Sequence, residues 1–308
     1  SRRRHTRCLS DWSSDVCSSD LGIGHFAPYL WLVESIAWLT GIGIVTLIGI
    51  RQVTRLKNRG RKSRFYGSGN WKAYYVEGTI LAIVFCVVAL RGLEGALEGV
   101  TQWSTQYPLT GFVIDALNNQ SVASVENQIS AIAFIKIIVS MTWFVVIALN
   151  LTMGVAWHRF LAFFNIYFKR NADGRNSLGP VPEMLSHGKP IDFEDPKDDD
   201  VFGIGKSADI TWKGLLDMAS CTECGRCQSQ CPAWHTEKPL SPKLLVMAMR
   251  DHALTKVPTD APIVGLEGPI TPDVLWSCTT CGACVNECPV DIEHTEHIIN
   301  MQIGRAHV

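Results

Sequence analysis

The chain has 308 residues, of which 47% are hydrophobic and 19% charged, and its mean hydropathy is positive. Soluble domains carry about 25% charged residues, so the composition excludes a disordered or purely soluble protein. Twenty-eight basic residues against 29 acidic ones give a net charge of -1; no global positive field exists for gripping nucleic acid, and no nucleic-acid partner is expected. Eleven cysteines are present, eight of them between residues 221 and 288, a crowding that in an intracellular chain means metal more often than disulfides.

The two ends read as foreign to the protein. Residues 15–20, DVCSSD, can be encoded by GAC GTG TGC TCT TCC GAT, whose reverse complement translates as IGRAHV, residues 303–308. The wider segments resemble translated short-read sequencing adapter. Residues 1–21 and 303–308 are therefore expected to be artefact, and the rest to be a fragment. The leading arginines would suit a signal peptide, but DWSSDVCSSDL supplies no apolar core for one.

A membrane domain is expected over residues 22–170. The run Pro28 to Ile50 holds one charge, Glu34, and has the length of about 20 residues that a spanning helix needs. A second span is expected over about 74–97, ending near Arg91, and a third over about 129–157, containing Lys136. Trp and Tyr near the ends of these runs favour spans over buried core helices. Residues 51–64 carry seven Lys or Arg residues, whereas residues 98–128 carry none. Positive-inside then places the first connection in the cytoplasm and the second outside, and brings the chain back to the cytoplasm at Lys169 and Arg170. The expected location is thus the cell membrane, multi-pass, with everything after residue 170 cytoplasmic. Charges in hydrocarbon cost roughly 2.5 kcal/mol or more, so Glu34 and Lys136 read either as part of a quinone or proton pathway or as residues facing protein or water. Arg91, near a span end, reads first as snorkelling.

Residues 171–210 are rich in Gly, Pro and Asp without helical periodicity, and read as a linker. Beyond them, residues 221–232 are CTECGRCQSQCP and residues 278–289 are CTTCGACVNECP. The pattern C-x2-C-x2-C-x3-C-P occurs twice, the run of bacterial two-cluster ferredoxins. Three closely spaced thiolates can hold three irons of one cubane, and the fourth, turned away before a proline, reaches the other. The expected ligands are Cys221, Cys224, Cys227 and Cys288 for one 4Fe-4S cluster, and Cys278, Cys281, Cys284 and Cys231 for the second. Zinc ribbons would leave half of these thiols unused, and disulfides are disfavoured in the cytoplasm.

Forty-six residues separate Cys231 from Cys278, and this insert reads as helical: Ser241 can cap, Pro242 suits a first helical position, and LLVMAMRDHAL follows. The domain over 211–302 is therefore expected to be an α-helical ferredoxin, and the whole chain all-α, three spans followed by a two-cluster domain. His158 could ligate haem as neutral imidazole or sit at the interface without ligating. His235, His252, His294 and His297 read as surface or packing residues, with cluster tuning the alternative. No nucleophile or general base stands out, so no catalytic side chain is assigned.

Residues 201–302, above all TWKGLLDMASCTECGRCQSQCPAWHTEKPLSPKLL and DVLWSCTTCGACVNECPVDIEH, closely resemble the membrane-bound, heterodisulfide-reductase-related iron-sulfur oxidoreductases of bacteria. More loosely, the membrane half is similar to the cytochrome b subunit of respiratory nitrate reductase. That second resemblance implies haem b on the histidine corresponding to His158, although Ser140 stands near the place of the other ligand. The first implies an oxidoreductase in which a soluble flavoprotein donor, commonly electron-transfer flavoprotein, delivers electrons through the clusters to menaquinone, and a C-terminal continuation into Cys-Cys-Gly repeats. Two other readings stay open: a non-enzymatic membrane-anchored electron carrier, and the iron-sulfur subunit of a hydroxy-acid or glycerol-phosphate dehydrogenase.

Overall fold

The computed structural model describes residues 27–53, 60–100, 107–117, 120–170, 179–255 and 258–305. The adapter-like residues 1–21 and 306–308 lie outside this range, while residues 303–305 continue the last helix. The chain divides into two compact units, one of Ser1–Val53 with Trp71–Ala148 and one of Thr54–Asn70 with Leu149–Val308.

The first unit is built from α1 (Ala27–Val53), α2 (Asn70–Leu97), the short α3 (Gly111–Leu117) and α4 (Val122–Leu149). Three of these, α1, α2 and α4, have 27, 28 and 28 residues and are apolar enough to cross a membrane. At 1.5 Å per residue each is about 40 Å long, more than a hydrocarbon core of about 30 Å requires. Their outer surfaces are apolar: Leu39, Val45, Phe85, Phe134, Phe144 and Leu149 are all exposed, as lipid-facing helices require. Four of the charged residues are turned inward and paired. Arg51 meets Glu77 at 2.8 Å, and Glu34 meets Arg91 at 3.5 Å.

The third spanning helix ends at Leu149, short of the expected Trp157. The Asn150 carbonyl accepts the Met153 N–H at 3.0 Å and the Trp157 indole N–H at 3.2 Å, and this turn interrupts the helical ladder. A separate helix, α5 (Gly154–Tyr167), then begins. Apolar composition runs unbroken across the turn, so hydropathy does not reveal it.

In the second unit, α5 is followed by a two-residue hairpin, Leu185–Ser186 with Lys189–Pro190, inside the segment expected as linker. Seven helices follow: α6 (Trp212–Ser220), α7 (Arg226–Gln230), α8 (Pro232–His235), α9 (Pro242–Leu254), α10 (Pro272–Trp276), α11 (Ala283–Asn286) and α12 (His294–Arg305). Thr211 caps α6 by accepting the Gly214 N–H. Ser241 caps α9 by accepting the Leu244 N–H, with Pro242 in the first turn, as the residue pattern predicts. Met218, Val246, Met249, Ile263, Leu275 and Met301 form the centre of one buried core. The compact unit thus includes residues from Leu149 on rather than from near 170, because α5 packs along α6.

The connection between α1 and α2 also belongs to this unit. Arg61 lies over the Trp234 ring, 3.7 Å from its centroid, and its carbonyl accepts the Trp234 indole N–H at 3.1 Å. Gln228 Nε2 donates to the Ser63 carbonyl at 3.3 Å. The buried Lys243 Nζ donates to the carbonyls of Arg64 and Tyr66 and to Ser68 Oγ, at 3.0, 2.6 and 2.9 Å. Residues 61–68 are thereby strapped across α7 and α9. Part of the basic run that reads as a topology signal is thus also a packing element. Lys243→Met is expected to lose roughly 2–4 kcal/mol, since its acceptors are left without a donor. Hydrogen exchange of residues 63–68 should quicken; unchanged protection there would show that the strap does not depend on Lys243.

Candidate iron-sulfur site

The two cysteine motifs have the same backbone course. The second and fourth residues after each leading cysteine have positive φ: Glu223 at 57° and Gly225 at 75° in the first, Thr280 at 53° and Gly282 at 74° in the second. Side chains rarely accept this region, but it turns successive N–H groups into one concavity suited to an anion. The Thr280 N–H accordingly donates to Cys278 Sγ at 3.4 Å, and the Glu223 N–H to Cys221. Cys231 receives N–H groups from Ala233 and Trp234, and Cys288 from Val290 and Ile292. Gly225 has a second reason to be glycine: a Cβ there would overlap the Arg64 carbonyl of the strap.

Cys221, Cys224, Cys227 and Cys288 line one cavity, of about 280 Å³ including its open mouth. Cys231, Cys278, Cys281 and Cys284 line another, of about 320 Å³. Each motif gives three thiols to one cavity and its last cysteine to the other. Burial pushes the thiols of Cys221, Cys227, Cys231, Cys278, Cys284 and Cys288 up, to about 12 for Cys221 and Cys284 and about 11 for Cys288. Neighbouring thiols add to the rise at Cys227 and Cys284. Four thiolates this close need a cationic core to hold their charge. Among the described residues no three His, Cys, Asp or Glu side chains are placed to hold a single metal ion. All-sulfur donor sets around open cavities, fed by N–H groups, suit iron-sulfur clusters rather than bare ions.

The two cavities differ in their surroundings. Lys243 and His294 line the first, and Glu223 beside it pairs at 2.9 Å with Arg250, which is fully buried. Burial pulls Lys243 down to about 8 and His294 down to about 4, His297 adding to the latter. Nearby, Asp217 is buried, which would raise its carboxyl, but His297 at 3.0 Å and Lys213 at 2.7 Å hold it low. The second cavity is lined mainly by Ala233, Leu240, Ile298 and prolines, and its Cys281 is exposed. Lys243, Arg250 and Asp217 are not legible as site residues from spacing, because charges on amphipathic helices ordinarily face solvent, and Glu223 lies in the first cysteine loop between helices. His294 and His297 are buried, while His235 is exposed and His252 lies between.

The remaining candidates fall elsewhere. In the first unit, Glu34 accepts the Leu109 N–H at 2.8 Å and the Thr110 hydroxyl at 2.9 Å, besides meeting Arg91. Arg91 does not snorkel; it lies 4.5 Å from the Tyr107 ring centroid. Glu34 thus ties the entry of α3 to α1 and α2. Lys136 is half-buried on α4, and no ion pair among the described residues joins it to Glu34. His158 lies on α5 in the second unit, its Nδ1 3.1 Å from the Gly154 carbonyl, and not at the end of a spanning helix. Glu34→Ala is expected to lose about 2–4 kcal/mol, since the Leu109 N–H and the Thr110 hydroxyl lose their buried acceptor and Arg91 keeps Glu94, at 3.7 Å, and Lys136→Met less than about 1 kcal/mol. Thermal unfolding in detergent checks this; equal small losses would remove the structural role given to Glu34.

Comparison with known proteins agrees with this geometry. The profile of the 4Fe-4S dicluster domain matches residues 220–292. A probable membrane-anchored ferredoxin of Chromohalobacter salexigens is 34% identical over 50% of this chain and 26% of its own length. An EtfAB:quinone oxidoreductase of Syntrophomonas wolfei is 30% identical over 47% and 22%. A probable iron-sulfur-binding oxidoreductase, FadF, of Bacillus subtilis is 32% identical over 48% and 27%. The chain spans about a quarter of the length of these relatives. No solved structure matches it significantly. The chain is a multi-pass membrane protein with a helical 4Fe-4S dicluster domain, and about half of it is similar to part of each of these longer membrane-anchored or iron-sulfur proteins.

Proposed function

We propose that this chain is the membrane and cluster-bearing part of an oxidoreductase that links a cytosolic flavoprotein donor to membrane quinone. The observation that carries this reading is the pair of four-thiol cavities, each completed by the other motif, on a chain with three spanning helices. Cys221, Cys224, Cys227 and Cys288 would hold one 4Fe-4S cluster, and Cys231, Cys278, Cys281 and Cys284 the other; once bound they supply one-electron transfer without bond chemistry. The residues of the chain do the rest. Backbone N–H groups and the buried Lys243 and Arg250 favour negative charge at the first cavity.

The name of the Syntrophomonas wolfei relative supports electron-transfer flavoprotein as donor and quinone as acceptor; menaquinone is the quinone we favour. The basic connection supports cytoplasmic placement of the dicluster domain, because residues 61–68 pack on that domain and positive-inside favours the cytoplasm for them. Haem b on His158 has weaker support, since α5 packs on the dicluster domain. The Chromohalobacter salexigens relative favours a second reading, an anchored carrier without a quinone site.

Anaerobically purified protein in nanodiscs should contain about eight irons per chain. Its dithionite-reduced electron paramagnetic resonance spectrum should show two interacting centres. Cys288→Ser and Cys224→Ser should disturb one and the same centre, and Cys231→Ser and Cys281→Ser the other; loss of different centres by Cys288→Ser and Cys224→Ser would refute the ligand sets. Reduction by the electron-transfer flavoprotein and reoxidation by a menaquinone analogue are both expected. Reduction without reoxidation would favour the carrier.

A further inference from the structure

Four side chains of α5, Phe160, Phe163, Phe164 and Tyr167, recur at intervals of three and four residues and share one face. They are 49, 71, 50 and 71% exposed. Trp212 and Phe168, both exposed, continue the patch, their rings edge to face at 5.1 Å. The opposite stripe faces the dicluster domain. A Cβ on Gly154 would overlap the Cys221 carbonyl, and Asn165 Nδ2 donates to the Val290 carbonyl at 2.7 Å, two residues beyond Cys288. The inner face of α5 therefore lies against both ends of the first thiol set.

An aromatic patch of this kind marks an interaction surface, and the chain itself indicates what covers it. The apolar part of α4, Ile129 to Leu149, is 21 residues long, or about 31 Å, which matches a hydrocarbon core of about 30 Å. Leu149 then stands at the core boundary. Residues 150–153 lead directly into α5, and the five steps from Leu149 to Gly154 reach at most about 18 Å. The start of the helix at Gly154 is thereby tethered near the headgroups, where aromatic rings are favoured.

We infer that α5 is an interfacial helix: its aromatic face lies in lipid at the boundary between headgroups and acyl chains, while its inner face carries the first thiol set. A helix with side chains is about 10–12 Å across, so Cys221 and Cys288 are held about one helix diameter from lipid. The inference rests on the spanning helices and not on the identity of the clusters.

Photo-crosslinking tests it on the full chain in lipid nanodiscs. p-Benzoylphenylalanine replaces Phe163 or Tyr167, with Phe160 as a third probe of the same face. Phe144, exposed on the apolar part of α4 five residues before its end, serves as lipid-facing control, and Trp276, exposed on the dicluster domain, as the comparison. Retained iron content selects folded variants, and lipid adducts are counted by mass spectrometry. Adduct yields at 163 and 167 within about threefold of that at 144, and about tenfold above that at 276, are expected for a face embedded in the interface. Strong adducts at 144 with yields at 163 and 167 no higher than at 276 would overturn the proposal, whatever the clusters do.

Discussion

Each four-thiol cavity takes three cysteines from one motif and the last cysteine from the other, so neither can be completed until the two motifs have folded against each other. The remainder of the second unit follows from that exchange. Cys231 and Cys288 each precede a proline, which starts α8 after the first motif and diverts the chain after the second. The insert between the motifs supplies α9 and α10, whose Val246, Met249 and Leu275 fill the core beneath both cavities. Positive φ at corresponding residues of the two loops aims their N–H groups at sulfur in the same way, as a repeated motif with a repeated task should.

The repetition stops at the surroundings. Around the first cavity the chain buries Lys243, Arg250 and Glu223, groups that are costly to desolvate unless fully partnered. Lys243 is partnered by the strap and Glu223 by Arg250. One consequence is that the connection between the first two spans becomes part of the wall near the first thiol set. Around the second cavity the lining is apolar and Cys281 reaches the surface. Two centres with the same ligands but different charge, hydrogen bonding and exposure should have different reduction potentials, since these are the levers that set them.

In the membrane-spanning unit the same rule acts on a single carboxylate. Glu34 is almost wholly buried, and hydrocarbon offers it no water, so it collects Arg91, the Leu109 N–H and the Thr110 hydroxyl. That set of bonds gives the charge a structural role, anchoring the short α3. It also shows why an isolated charge in an apolar run is ambiguous in one dimension: proton carriers and structural ties obey the same demand for a partner.

Features carried by local pattern were legible without coordinates. Three apolar runs of spanning length, the twice-repeated cysteine spacing, and the Ser241–Pro242 start of α9 each depend on residues close in the chain. The grouping of Cys288 with Cys221 is an expectation from the proline that follows each fourth cysteine, and it remains part of the proposed ligand sets. What required the tertiary structure were the relations between distant residues. Lys243 meets the carbonyls of Arg64 and Tyr66, Asp217 meets His297, and Asn165 meets the Val290 carbonyl; no periodicity encodes such encounters. The break at residues 150–153 was hidden for a different reason. Hydropathy sums side-chain polarity and is blind to the backbone hydrogen bonds that end α4, so α5, with one face on the dicluster domain and the other exposed, could be distinguished only once the chain was folded.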